Sequence, residues 1–461
     1  MPMAQRLMTA AIAWSSIVAP ALEAQAPWPL PVDDAVLAAL IDEALATSPD
    51  VARARAAAEA AATWPAQAGS LPNPMIGANY TNDGWSPSLG SQGMTTLGFM
   101  ASQELFYPGK RALRAAVASR QAEQVALEVE RTRRGVAAAV KRAYYGLLVT
   151  RETLELIGDQ EQIWRQVEGV ARARYAVGQG ALQDVLRVQV EVTRIGQLRA
   201  EQEAQEEARL AELNRLLYRP PSAPLATAAR LSLRASDVSL DHILAWASEV
   251  SPELEAASLG TEAASLAVEL AEKAFKPDWS IQAGYMNRGS LDPMWQAGIG
   301  ISLPLYRKRL SAGLAEAEAR VRSARAVTES VGLLLRQRMQ ERLARLGASQ
   351  RIALLYGQGI VPQDRTSVEA AITNYQTGQV PFIAVLEALM TFYNDRSTHL
   401  RLLAEQEQIL ASLEEAGLEG GSTMEAGSSA GAGSVSGAAA GGTATGMGGA
   451  AMGSSAAMGS P

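Results

Sequence analysis

Tyr175-Ala-Val-Gly178-Gln179 returns in the second half of the chain as Tyr375-Gln-Thr-Gly378-Gln379. The first copy closes a stretch from Gly109 to Ala176 that lacks proline, and the second follows another proline-free stretch from Leu310 to Val361. A glycine in this setting suits the left-handed residue that ends a helix, and Pro381 suits the first position of the next one. Gly178 and Gly180 can serve the first copy in the same way. Each motif therefore predicts a tight turn between two antiparallel helices. Other landmarks recur around it: Ser48-Pro49-Asp50 is matched by Ser251-Pro252-Glu253, and Leu105-Phe106-Tyr107 is echoed by Leu305-Tyr306. A duplicated order of landmarks is the signature of two structural repeats.

Upstream of each long helical stretch the period changes from helical to alternating. Ile76, Ala78 and Tyr80 share one face, with Gly77, Asn79 and Thr81 on the other; Leu97, Phe99 and Ala101 oppose Gly98 and Ser102, with Met100 as an exception. The second repeat is clearer. Trp279, Ile281, Ala283 and Tyr285 alternate with Ser280, Gln282 and Gly284, and Trp295, Ala297, Ile299, Ile301 and Leu303 with Gln296, Gly298, Gly300 and Ser302. Such runs predict hairpins with one apolar face, and strands of about nine to eleven residues suffice to cross a bilayer when tilted. The helical stretches are long enough for a tube or stalk, since a continuous sixty-residue helix extends on the order of 90 Å.

Composition excludes several classes. The chain has 461 residues, a net charge of −7, two histidines and no cysteine. The charge balance argues against a nucleic-acid partner, and without cysteine there are no disulfides, thiolate sites or cysteine-anchored lipid. His242 and His399 offer little material for imidazole chemistry. No nucleophile and base pair, phosphate loop or metal-ligand cluster emerges, so neither an enzyme nor a cofactor is expected. Arg6, the apolar run Leu7 to Ala19 and Ala24-Gln25-Ala26 predict an export signal over residues 1–26.

The order of signal, helix, strand hairpin, long helix, Tyr-x-x-Gly turn and returning helix, with all but the signal repeated, resembles the TolC family of outer-membrane efflux ducts. The resemblance spans roughly residues 33 to 417. Leu71-Pro72-Asn73-Pro74 and Tyr107-Pro108-Gly109-Lys110-Arg111 resemble segments of the branch serving heavy-metal pumps. The expected architecture is an α+β membrane protein. Residues 27–218 form the first repeat (hairpin about 74–105, helices about 109–176 and 181–217), and 219–241 form a linker. Residues 242–418 form the second repeat (hairpin about 278–305, helices about 308–373 and 381–418), and 419–461 a disordered tail. Four strands cannot close a membrane barrel, so the chain must oligomerise; three copies would supply twelve. The resemblance implies such a homotrimer, with a β-barrel joined to a periplasmic α-helical barrel, apolar strand faces toward outer-membrane lipid, and a periplasmic adaptor and inner-membrane pump as partners. A periplasmic adaptor or coiled-coil interaction protein is the alternative, but adaptors typically carry one helical hairpin rather than two.

The resemblance also implies roles for particular residues. Val177, Gly178, Gln179, Thr377, Gly378 and Gln379 are candidate adaptor-docking tips, although glutamine departs from the family pattern there. Where family members often carry two acidic residues after the second turn, this chain has Ala384 and Glu387, and the first repeat offers Asp184 and Arg187 at the same spacing. Asp184, Arg187 and Glu387 are therefore gate candidates. In the tail, Gly, Ala and Ser predominate; Met424, Met447, Met452 and Met458 are candidate soft ligands for monovalent copper or silver.

Overall fold

The computed structural model describes residue 28 and residues 34–83, 85–88, 93–227, 230–234 and 238–418. The expected signal and the tail methionines lie outside these residues. Asp34 opens Ala35–Thr47 (α1) by accepting from the backbone N–H groups of Val36 and Leu37. Ser48 then ends that helix and caps Pro49–Ala62 (α2), whose first position is Pro49. A short helix, Trp64–Ala68 (α3), leads to strands Met75–Thr81 (β1) and Thr96–Leu105 (β2). Lys110–Ala176 (α4) and Leu182–Leu216 (α5) complete the first half. At 67 residues, α4 is about 100 Å long.

The second half repeats the plan. Leu240–Val250 (α6) passes through the cap Ser251 and the proline Pro252 into Pro252–Lys273 (α7), the same Ser-Pro junction found between α1 and α2. Strands Asp278–Arg288 (β3) and Leu291–Ser302 (β4) precede Arg307–Leu355 (α8). The rising helix does not break at Pro362. A π-turn over Tyr356–Ile360 precedes Val361–Gln376 (α9), and the Val361 N–H donates five residues back to the Tyr356 carbonyl. Proline has no N–H and its ring crowds the carbonyl four residues back, so one widened turn lets the helix continue past it. Phe382–Glu415 (α10) returns. Pro381 is its N-cap, with ψ at 157°, rather than its first helical residue, which corrects the sequence expectation.

All four strands form one antiparallel sheet in the order β1-β2-β3-β4. The register aligns Ala78, Phe99, Tyr285 and Trp295 in one row and Leu105, Trp279 and Ile301 in another. These rows belong to the apolar face anticipated from the alternation. Glycine, serine and glutamine fill rows of the opposite face, such as Ser102, Gln282 and Gly298. The apolar side is uncovered within the chain, with Trp295 80% exposed. A contiguous face of this kind on a soluble monomer would be unusual.

Hydrophobic burial lies in the helical part of the chain, where Trp28, Leu225 and Val238 of the connecting segments also pack onto the helices. At the sheet-distal end, Trp164, Val167 and Ala171 of α4 pack with Val185 and Val188 of α5, Tyr375 of α9, and Phe382 and Leu389 of α10. Two further clusters mirror each other. Leu37 and Leu40 of α1 pack on Tyr144 and Leu147 of α4, while Ile243 and Ala247 of α6 pack on Met339 and Leu346 of α8. The segment between the halves is pinned to both: Arg151 donates to Thr227 at 2.9 Å, the Leu231 N–H to Glu152 at 2.6 Å, and Gln350 and Gln406 to the Arg234 carbonyl.

Candidate functional site at the helix tips

Both Tyr-x-x-Gly-Gln motifs fold into the same turn. Gly178 has φ 75° and Gly378 φ 79°, the left-handed region that penalises a Cβ. In the first tip, Gly178 N–H donates to the Tyr175 carbonyl at 3.0 Å and Gln179 N–H to the Arg174 carbonyl at 2.9 Å. In the second, Gly378 and Gln379 make the matching bonds to Tyr375 and Asn374 at 3.1 and 2.8 Å. This paired pattern satisfies carbonyls that a helix end leaves unbonded. Gly180 has a separate role, because a Cβ there would lie 3.0 Å from that of Arg174.

Side chains divide what the backbone repeats. Tyr175 is 48% exposed, whereas Tyr375 is 3% exposed and packs edge-on against Phe382 with ring centroids 5.6 Å apart. Tyr375 donates its hydroxyl to Asp184 on α5 at 3.2 Å. Arg174, from the last turn of α4, lays its guanidinium over the Tyr375 ring at 4.6 Å and donates to the Tyr375 carbonyl. It also donates to the Gln179 carbonyl at 2.9 Å. Thus one arginine and one aspartate of the first hairpin hold one tyrosine of the second. Burial, followed by the Asp184 charge and hydrogen bond, pushes the Tyr375 hydroxyl up to about 12, with Arg174 opposing the shift.

Among the sequence-derived gate candidates, only Asp184 joins this contact. Arg187 and Glu387 are both exposed and have no ion pair among the described residues. Asp184 therefore meets Tyr375 and not Arg187. Val177, Gln179, Thr377 and Gln379 are exposed at the turns. Arg174 and Tyr375 were missed as site residues. A signal was present, since Arg174 precedes one motif tyrosine and Asn374 the other. Among the described residues no group of three or more His, Asp or Glu could hold a metal ion.

A family model described as outer membrane efflux protein matches the chain twice, over residues 40–217 and 244–417. The chain belongs to this family. Protein CyaE of Bordetella pertussis is 27% identical over 439 residues, covering 88% of this chain and 90% of its own length. Solved channels share the fold. VceC of Vibrio cholerae, at 21% identity, gives a TM-score of 0.69 over 83% of this chain and 97% of its own. The open state of the MtrE channel of Neisseria gonorrhoeae, at 18% identity, gives 0.70 over 83% and 88%. As an outer membrane efflux protein, the chain is a channel of the outer membrane with a periplasmic helical barrel, and not an enzyme. Such channels work with an adaptor and an inner-membrane pump.

Proposed function

We propose that three copies of the chain close one twelve-stranded barrel, and that the contact of Arg174, Tyr375 and Asp184 latches each protomer's two helix tips at the periplasmic mouth. The observation that carries the assembly is the four-stranded sheet, whose edges β1 and β4 are unpaired among the described residues. Unpaired backbone groups are not tolerated in hydrocarbon, so each edge must meet another copy. The helices support the same reading. Leu182, Leu186, Val190 and Leu198 are exposed on α5 at helical spacing, which suits the flank of a neighbouring copy. The apolar strand face meets outer-membrane lipid.

Opening such a mouth requires the two hairpins of a protomer to move apart, which would break the hydroxyl bond to Asp184 and the guanidinium contacts. Val177, Gly178, Gln179, Thr377, Gly378 and Gln379 form the surface offered to an adaptor, and docking there acts on the same turns. Glu387, exposed just beyond the second turn, forms a ring of three carboxylates that favours cations at the constriction. That ring, with Leu71-Pro72-Asn73-Pro74 and Tyr107 to Arg111, favours metal cations as cargo.

The test uses detergent-purified protein. A trimeric mass and ion conductance in planar bilayers are expected; a monomer without conductance would overturn the assembly. Glu387→Gln should weaken block by divalent cations, and unchanged block would remove Glu387 from the gate.

A further inference from the structure

The passage from strand to long helix occurs twice, and the basic residues there are used in opposite ways. In the first repeat the cations that open α4 are engaged within the chain. Lys110 pairs with Asp278 at 2.9 Å, Arg111 donates to the Gly69 carbonyl at 2.7 Å, and Arg114 lies 4.0 Å from the centre of the Phe106 ring. Lys273 approaches Tyr107 at 5.8 Å. In the second repeat, Arg307, Lys308 and Arg309 open α8 and are exposed, and their side chains have no hydrogen-bond or ion-pair partner among the described residues. No acidic residue occupies that first turn. Three cations beside the positive end of a helix dipole are unfavourable for the helix itself. Folding alone therefore does not account for them.

Their surroundings indicate what does. Leu303, Leu305 and Tyr306 are all exposed immediately before them. Leu303 continues the apolar face of β4, two residues beyond Ile301 in its row with Trp279. The chain thus passes from a lipid-facing apolar surface, through an exposed tyrosine, to unpaired arginine and lysine at the periplasmic end of the strands. That sequence matches the depth profile of a bilayer: acyl chains, the interfacial zone that favours tyrosine, then phosphate headgroups. We infer that Leu305, Tyr306, Arg307, Lys308 and Arg309 form a binding surface for the headgroup of an anionic phospholipid in the periplasmic leaflet. The site rests on the reading that the apolar strand face meets lipid.

Purified full-length protein in micelles containing equal phosphatidylglycerol and phosphatidylcholine, analysed by native mass spectrometry, tests the site. The wild type should retain phosphatidylglycerol preferentially. The triple variant Arg307→Gln, Lys308→Gln, Arg309→Gln should lower that preference by about tenfold, on the scale of basic residues at an anionic surface. Two controls should keep the wild-type ratio: Arg111→Gln, whose side chain is engaged internally, and Arg307→Lys with Arg309→Lys, which preserves charge. Inorganic phosphate at matched ionic strength should not displace the lipid. A wild-type ratio in the triple variant, displacement by phosphate, or loss of the oligomer at unchanged lipid retention would each overturn the site. Quenching of strand tryptophans such as Trp279 and Trp295 by brominated phosphatidylcholine separates the two readings. Quenching without phosphatidylglycerol preference sinks the site alone, and no quenching sinks the membrane contact beneath it.

Discussion

The two helix tips are one backbone carrying two chemistries. Their turns share left-handed glycines and paired hydrogen bonds, yet Tyr175 stands in the open while Tyr375 is enclosed by residues of both hairpins. The turn is a local requirement, met by glycine wherever a helix must reverse. The latch is a non-local one, met once per protomer. The repeats share the first without the second: Asn374 stands at the position matching Arg174, and Ala384 at the one matching Asp184. The difference gives a protomer two similar turns joined at the tips by one polar contact, beside an apolar cluster that α4, α5, α9 and α10 share.

Truncation should break the comparison most strongly. Tyr375→Ala should cost about 3–5 kcal/mol, the usual penalty for emptying a buried aromatic site, whereas Tyr175→Ala should stay within about 0.5 kcal/mol as a surface change. Thermal unfolding of the two variants side by side checks this, and equal losses would erase the asymmetry. Next is the hydroxyl. Tyr375→Phe should cost about 1–2 kcal/mol through its bond to a carboxylate, and combining it with Asp184→Ala should add little, because both remove one contact. Full additivity in that double-mutant cycle would separate the two residues.

Smaller effects sharpen the contrast. Gly178→Ala and Gly378→Ala should each cost about 1 kcal/mol for a Cβ at positive φ. The second should cost more, since its Cβ would meet Arg174 Nη2 at 3.3 Å while the first meets nothing within 4 Å. The remaining effect is the alkaline one. The Tyr375 hydroxyl stays protonated to about 12 in the folded chain but ionises near 10 in an unfolded one. A raised value means the stabilisation is complete below about pH 10 and is lost as pH rises through about 12. The difference in stability between wild type and Tyr375→Phe should shrink over that window; a constant difference would argue against a buried hydroxyl.

Much of the fold was legible because its signals are local. Period-two alternation from Trp279 to Tyr285 and from Trp295 to Leu303 anticipated the apolar face on which Tyr285 meets Trp295 and Trp279 meets Ile301. Gly178 and Gly378 announced their turns. The passage through Pro362 was less legible, because the compensating π-turn lies in Tyr356–Ile360, whose composition does not mark it. The latch was hidden for another reason. Tyr375 meets Asp184 across 191 positions and Arg174 across 201, and no periodicity connects residues so far apart. The spacing after each turn pointed toward Asp184, Arg187 and Glu387, of which Arg187 and Glu387 are exposed and take no part in the latch.

Single-channel conductance in planar bilayers tests the central claim most directly, comparing wild type with Tyr375→Phe, Asp184→Ala and Tyr175→Phe. The latch predicts that the first two raise open probability severalfold and that Tyr175→Phe leaves it at the wild-type level. Identical open probability in all four channels would contradict it.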